Sequence, residues 1–205
     1  MKRLRQLAVF AFLIAVGQLP ASFASEGPRQ EVSLQGTGFF TKDSHARGIS
    51  QHSTDTGGLL FGYRYHFNDW LAAEANYGYA RNTQFNVTAS GALNVQSNIH
   101  EATASLVVTP PVRVARLRPY VLAGSGALVF DPTGNAGGAV AGTRRQAKAA
   151  FVYGGAADYD VTRHLALRVE YRGLVYKRPD FELASLNSDA VAHTAQPSAG
   201  IVIRF

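Results

Sequence analysis

The stretch TGGLLFGYRYHF-NDW-LAAEANYGY, residues 56–79, decides how the rest of the chain is read. Leu59, Phe61, Tyr63, Tyr65 and Phe67 fall on alternate positions, with Gly58, Gly62, Arg64 and His66 between them. Successive side chains of a strand point to opposite faces, so this is a strand with one apolar and one polar side. Asn68-Asp69 tolerate turn conformations. Beyond them Leu71, Ala73, Ala75, Tyr77 and Tyr79 alternate with Ala72, Glu74, Asn76 and Gly78. The segment is a β-hairpin closed by a short turn.

The same period of two runs outward from this hairpin in both directions. Val32, Leu34 and Phe40 alternate with Ser33, Gln35 and Thr37; Ala102, Ala104, Leu106 and Val108 alternate with Glu101, Thr103 and Ser105. Tyr120, Leu122 and Leu128 share a face of a strand that is apolar or small on both sides. Phe151, Tyr153 and Tyr159 alternate with Gly154, Ala156 and Asp158; Leu165, Leu167, Val169, Tyr171 and Val175 alternate with Ala166, Arg168, Glu170 and Arg172. Pro197, Ala199, Ile201, Ile203 and Phe205 close the series against Ser198, Gly200, Val202 and Arg204. The pattern predicts about eight strands, each near the roughly 9–11 residues that a tilted membrane strand requires.

Connections alternate between short and long. Asn68-Asp69, Pro110-Pro111 and Asp160 to His164 are compact, whereas stretches around 41–53, 81–94, 131–147 and 177–193 are long and polar or glycine-rich. Short turns at one end and long loops at the other are the pattern of a membrane β-barrel, with the long loops extracellular. A soluble, ligand-holding barrel is the competing reading, since it has the same periodicity with its apolar faces turned inward. Two features favour the membrane. The polar positions are mostly Gly, Ala, Ser and Thr with isolated charges, a poor solvated surface. Aromatic residues collect near the strand ends, Tyr65, Phe67, Trp70, Tyr120, Tyr159 and Phe205 at one side and Tyr79, Phe130 and Tyr176 at the other, as the two interfaces of a bilayer require.

Composition agrees. Charged residues make up 17% of the 205 residues, against about 25% in a soluble domain. The formal charge of +6 includes Lys2, Arg3 and Arg5, which with the apolar run Leu7 to Val16 and Ser22-Phe23-Ala24 read as a signal peptide over residues 1–24, leaving a barrel domain over 25–205. The apolar run is too short for a spanning helix, which needs about 20 residues. Cysteine is absent, so a disulfide framework, a thiolate metal site and a Cys nucleophile are excluded. No basic stripe marks a nucleic-acid binder.

The chain resembles the eight-stranded outer-membrane β-barrel family of the OmpA and OmpX type over essentially its whole length after the signal segment. That segment, the strand pair Leu59–Phe67 with Leu71–Tyr79 and the ending Ile201-Val202-Ile203-Arg204-Phe205 carry the resemblance. It implies an all-β, eight-stranded antiparallel up-and-down barrel in a Gram-negative outer membrane, with both termini periplasmic. It also implies that the terminal Phe205 is a signal for the outer-membrane insertion machinery. Nothing after Phe205 corresponds to a periplasmic peptidoglycan-binding domain.

With the apolar faces toward lipid, the other face collects Arg64, His66, Glu74, Glu101, Asp158, Arg168, Glu170, Arg172 and Arg204 inside the barrel. Isolated buried charges are costly and an eight-stranded barrel is just wide enough to be filled by side chains. The expected result is a salt-bridged plug in which Arg168, Glu170 and Arg172 pair with acids on neighbouring strands, among them Glu74, Glu101 and Asp158. A narrow path for ions or small solutes lined by these groups is the sharper alternative. Ser44, His45, His52, Ser53, His100, Ser188 and His193 lie in or near the long loops, but their spacing matches no catalytic arrangement and no GxSxG occurs, so no enzyme is expected. His45 and His52 lack metal-ligand spacing, and Gly124-Ser125-Gly126 lacks the third glycine of a nucleotide loop, so no metal or other cofactor is expected. Arg144, Arg145 and Lys148 form a small basic cluster, a candidate contact for anionic lipopolysaccharide. The function expected is an envelope structural or surface-interaction protein working through its long loops.

Overall fold

The computed structural model describes residues 29–42, 44–46, 49–53, 55–88, 91–112, 114–133, 145–179 and 191–205. The signal segment, Arg144 and Ser188 lie outside the described residues. Ten strands follow one another: β1 (Gln30–Thr41), β2 (Ser44–Ala46), β3 (Ile49–Ser53), β4 (Thr56–His66), β5 (Leu71–Thr88), β6 (Gly91–Val108), β7 (Leu117–Pro132), β8 (Gln146–Asp160), β9 (Leu165–Lys177) and β10 (Val191–Arg204). Setting aside the short β2–β3 hairpin, eight strands close in the order β1-β4-β5-β6-β7-β8-β9-β10 and back to β1. Every pairing is antiparallel. Closure removes the sheet edges, so no row of backbone N–H and C=O groups is left for lipid to desolvate.

The seam holds Glu31 to Thr37 of β1 against Arg204 to Ser198 of β10. Gln30 and Phe205 exchange backbone hydrogen bonds of 3.1 and 2.9 Å at its end. The short turns are tied by side chains. Asn68 Oδ1 accepts from the amides of Trp70 and Leu71 at 3.0 and 2.8 Å, and Thr162 Oγ1 accepts from those of His164 and Leu165 at 3.2 and 3.0 Å.

The inward and outward sets follow the parity read from the sequence. Leu59, Phe61, Leu106, Leu167, Val169, Tyr171, Ile201 and Ile203 are exposed on the outside, while Arg64, Glu74, Glu101, Asp158, Arg168, Glu170, Arg172 and Arg204 are all buried within. No helix among the described residues is long and apolar enough to cross a membrane.

Two expectations need correction. The stretch 81–94 is not simply a loop, because β5 and β6 run on as a paired ribbon to Thr88 and Gly91. Within 41–53, β3 pairs with this ribbon, Ser50 to Ser53 opposite Val87 to Gln84. A strand wetted on both faces loses the alternation by which strands are recognised. The second correction concerns the aromatic belts. Tyr120, Phe130 and Tyr176 are 3%, 1% and 8% exposed and point into the barrel with Leu122 and Leu128, not toward an interface. Position along a strand placed them near an interface; parity places them inside.

Candidate functional site: a lumen filled in two layers

The inside of the barrel is the part whose chemistry the strands specify. Toward the short-turn end it holds a network of charges. Arg64 and Glu74 face each other on β4 and β5, and the Arg64 guanidinium meets the Glu74 carboxylate through Nε at 2.7 Å and Nη2 at 2.5 Å. Arg168 on β9 donates to Asp158 on the adjacent β8 through Nε at 2.8 Å and Nη2 at 3.0 Å. It also donates to Glu31 at 2.9 Å and, across the barrel, to Glu74 at 3.4 Å. Arg204 donates to Glu31 at 2.8 Å, Asp158 at 3.0 Å and Asp160 at 2.5 Å. Arg118 reaches Glu31 from the opposite wall at 3.4 Å. The Tyr120 ring lies under two cations, 4.1 Å from Arg64 and 5.2 Å from Arg168, and its hydroxyl donates to Glu170 at 2.6 Å.

Toward the middle the groups thin out. Arg172 meets Glu101 at 2.7 Å and Thr103 at 2.6 Å, and Gln196 donates to Glu101 at 2.8 Å from the far side of the barrel. Ser198 donates to Gln35 at 3.0 Å. Above this level the filling becomes apolar: Phe39, Leu60, Ile99, Leu128, Phe130, Leu174 and Tyr176 are buried, and the rings of Phe130 and Tyr176 lie 5.8 Å apart.

Asp158 is the neighbouring-strand partner of Arg168, whereas Glu74 and Glu101 sit on β5 and β6 and meet the β9 arginines from across the lumen. Glu170, itself a carboxylate, has no acid for a partner: it accepts from Tyr120 and lies 3.9 Å from Arg172. The main omission of the sequence reading is Glu31, which lies within 3.6 Å of Arg64, Arg168, Arg204 and Arg118 and within 3.2 Å of His66. Its signal was present: Glu31 shares the parity of Ser33, Gln35 and Thr37. Arg118, Asp160, Tyr120 and Gln196 also went unassigned to the interior network.

Phe205 lies exposed at the end of the seam. Of the basic cluster, Arg145 is exposed, whereas Lys148 stands opposite Leu128 on lumen-facing parity and is half-buried. Among the described residues no group of His, Asp and Glu is arranged to hold a metal ion. His100 and His193 face outward, each hydrogen-bonded to a tyrosine, Tyr77 at 2.7 Å and Tyr153 at 2.6 Å.

A family model described as the outer membrane protein beta-barrel domain matches residues 8–205. No curated protein sequence matches the chain. Among solved structures, the outer membrane protein OprG from Pseudomonas aeruginosa superposes with a TM-score of 0.64 at 14% identity, covering 87% of this chain and 96% of that one. Neisserial surface protein A (NspA) gives 0.57 at 16% identity, over 86% and 97%. The outer membrane protein AlkL gives 0.54 at 18%, over 92% and 95%. At such identities these likenesses concern the fold.

Proposed function

The chain belongs to the outer-membrane β-barrel family, and from that premise we propose that it is a non-enzymatic, plugged barrel that stabilises the envelope and presents its long-loop end to the surroundings of the cell. In this reading the short turns and both termini face the periplasm, residues 1–24 are the export signal, and Phe205 serves insertion.

The observation that carries the reading is the double closure of the lumen. Arg168 to Glu74 and Gln196 to Glu101 are bonds between walls that face each other, and above them Leu60, Leu128 and Leu174 are at most 1% exposed. An ion entering from the loop end meets an apolar constriction, where shedding its hydration is costly. Past it, an ion meets a network in which each guanidinium already has its carboxylates. The surface role is supported by the ribbon of β5 and β6, which runs from Tyr79 to Thr88 for about 30 Å of strand at ~3.3 Å per residue. It carries β3 as an added strand, a firm projection where a bare loop would be pliant.

Current across a planar bilayer holding the purified barrel tests the proposal. The expected result is silence from protein whose folded state is confirmed by its heat-dependent gel mobility. Steady unit currents that change on Glu74→Ala would instead establish a narrow channel for ions or small solutes.

A further inference from the structure

Three strands run up the lumen in the same order. From the short-turn end, β1 passes from Glu31 through Ser33 and Gln35 to Phe39, β4 from Arg64 through Gly62 to Leu60, and β9 from Arg168 through Glu170 and Arg172 to Leu174. Between the charged and the apolar layers lies a level of its own, polar and partly built of small residues.

At this level the side chains do not satisfy one another. Among the described residues, Ser33 Oγ, Asn76 Oδ1, Glu170 Oε1 and Gln196 Oε1 accept no hydrogen bond, and Gln35 Nε2 and Arg172 Nε and Nη1 donate none. Each of these residues is at most 5% exposed. The amides are oriented from behind: Asn76 Nδ2 donates to Glu74 at 2.7 Å and Gln196 Nε2 to Glu101 at 2.8 Å. A carboxylate only accepts, so each amide turns its oxygen away from that acid.

Gly62 marks where those groups converge. It stands between Ser33 and Asn76 in the pairing of β1, β4 and β5. A Cβ on it would lie 2.5 Å from Ser33 Oγ and 2.6 Å from Asn76 Oδ1. Two oxygens thus lean over a residue with no side chain without bonding each other. Arg172 is half used in the same way. Its Nη2 meets Glu101 and Thr103, while its Nε lies 3.9 Å from Glu170 Oε1, too far for a direct hydrogen bond.

The mixture of groups selects the occupant. A cation would face the Arg172 guanidinium, and an anion the oxygens of Asn76, Glu170 and Gln196. A neutral molecule that both donates and accepts meets both sets, and water is the smallest that does. We propose that the middle of the lumen binds a small cluster of water molecules, bridging Ser33 to Asn76 over Gly62 and Arg172 to Glu170, and closed off by the charged layer on one side and the apolar layer on the other. The plug then has three layers, and the middle one is a filled polar site without being a path.

The closure of this site rests on the plugged-lumen reading; ion current tests the plug and proton transfer from water tests the site, so the two fail separately. The test places the full barrel, uniformly isotope-labelled, in deuterated lipid bilayers and follows magnetisation passing from water protons to side chains by solid-state NMR. The Arg172 Nε–H and the Asn76 side-chain amide should build up severalfold faster than the methyl groups of Leu60 and Leu174 at the next level. Gly62→Ala puts a methyl into the notch and should cut transfer to Asn76 severalfold while sparing Arg172; heat-dependent mobility confirms that the variant is folded. In heavy water, Arg172 should keep its Nε proton after Arg118, which is 22% exposed at the short-turn mouth, has lost its own.

Transfer to Arg172 and Asn76 no faster than to the leucine methyls would mean a dry middle and overturn the proposal. So would undiminished transfer to Asn76 in Gly62→Ala, or equal proton loss at Arg172 and Arg118, which would make the site an open one. Transfer from a proton frequency other than that of water would identify a neutral solute in its place and overturn it equally.

Discussion

The two layers of the lumen fill the same wall by opposite means. Near the short turns, Glu31, Arg64, Glu74, Asp158, Arg168 and Arg204 are buried and satisfied by one another. Near the long loops, Phe39, Leu60, Ile99, Leu128, Phe130 and Leu174 exclude water by packing alone. The charged layer gains order from direction, since a guanidinium has few ways to meet two carboxylates at once. Its hazard is equally specific, because losing one partner strands the others in a site already out of water. The apolar layer has no such fragility: its cost on truncation grows with the volume removed.

The largest effect is therefore expected at the hub of the charged layer. Glu31→Ala leaves Arg168 and Arg204 without their 2.9 and 2.8 Å acceptors, and unfolding by urea in phospholipid vesicles should show a loss of about 3–5 kcal/mol. A loss below about 1 kcal/mol would mean that water already shares these charges, and the contrast between the layers would collapse.

In the apolar layer, Leu174→Ala should cost about 3 kcal/mol, the transfer of the deleted methyl groups plus the cavity they leave. It should also leave the barrel silent in a planar bilayer, since the charged layer still closes the path. Current from this single variant would show that the apolar layer is the whole of the barrier. The same deletion on the same strand but on the lipid face sharpens the point. Leu167 is 48% exposed, and fluid lipid refills the space, so Leu167→Ala should cost only the transfer part, about 2 kcal/mol. Equal losses at Leu174 and Leu167 would mean that the interior relaxes as freely as lipid.

The barrel and its strand parity were legible in the sequence because parity is local: Arg64 between Tyr63 and Tyr65, or Glu170 between Val169 and Tyr171, can belong to only one face. The pairing of charges was not, because it depends on strand stagger and on which walls face each other across the lumen. Nothing near Arg172 in the chain announces Glu101. Glu31 follows Arg29 and Gln30, so no apolar neighbour on its N-terminal side marks the face it belongs to. The apolar layer escaped for a different reason: β7 is apolar on both faces, so Leu128 and Phe130 carry no contrast by which to choose a side. Their shared parity with Tyr120 was the usable clue.

The smallest expected effect separates charge from shape within the charged layer. Arg64→Lys keeps the positive charge opposite Glu74, so no carboxylate is stranded. It loses the second donor to that carboxylate and the flat face that lies 4.1 Å from the Tyr120 ring. An ammonium is a point charge with rotatable donors, where a guanidinium is a fixed planar fork. The loss should be about 1 kcal/mol, well short of Glu31→Ala, with the Tyr120 environment altered in the near-ultraviolet circular dichroism. Were Arg64→Lys as damaging as Glu31→Ala, the charged layer would be held by geometry as strictly as by charge. Were it neutral, the order in that layer would come from neutralisation alone, and the fork of Arg64 would add nothing that a simple cation cannot supply.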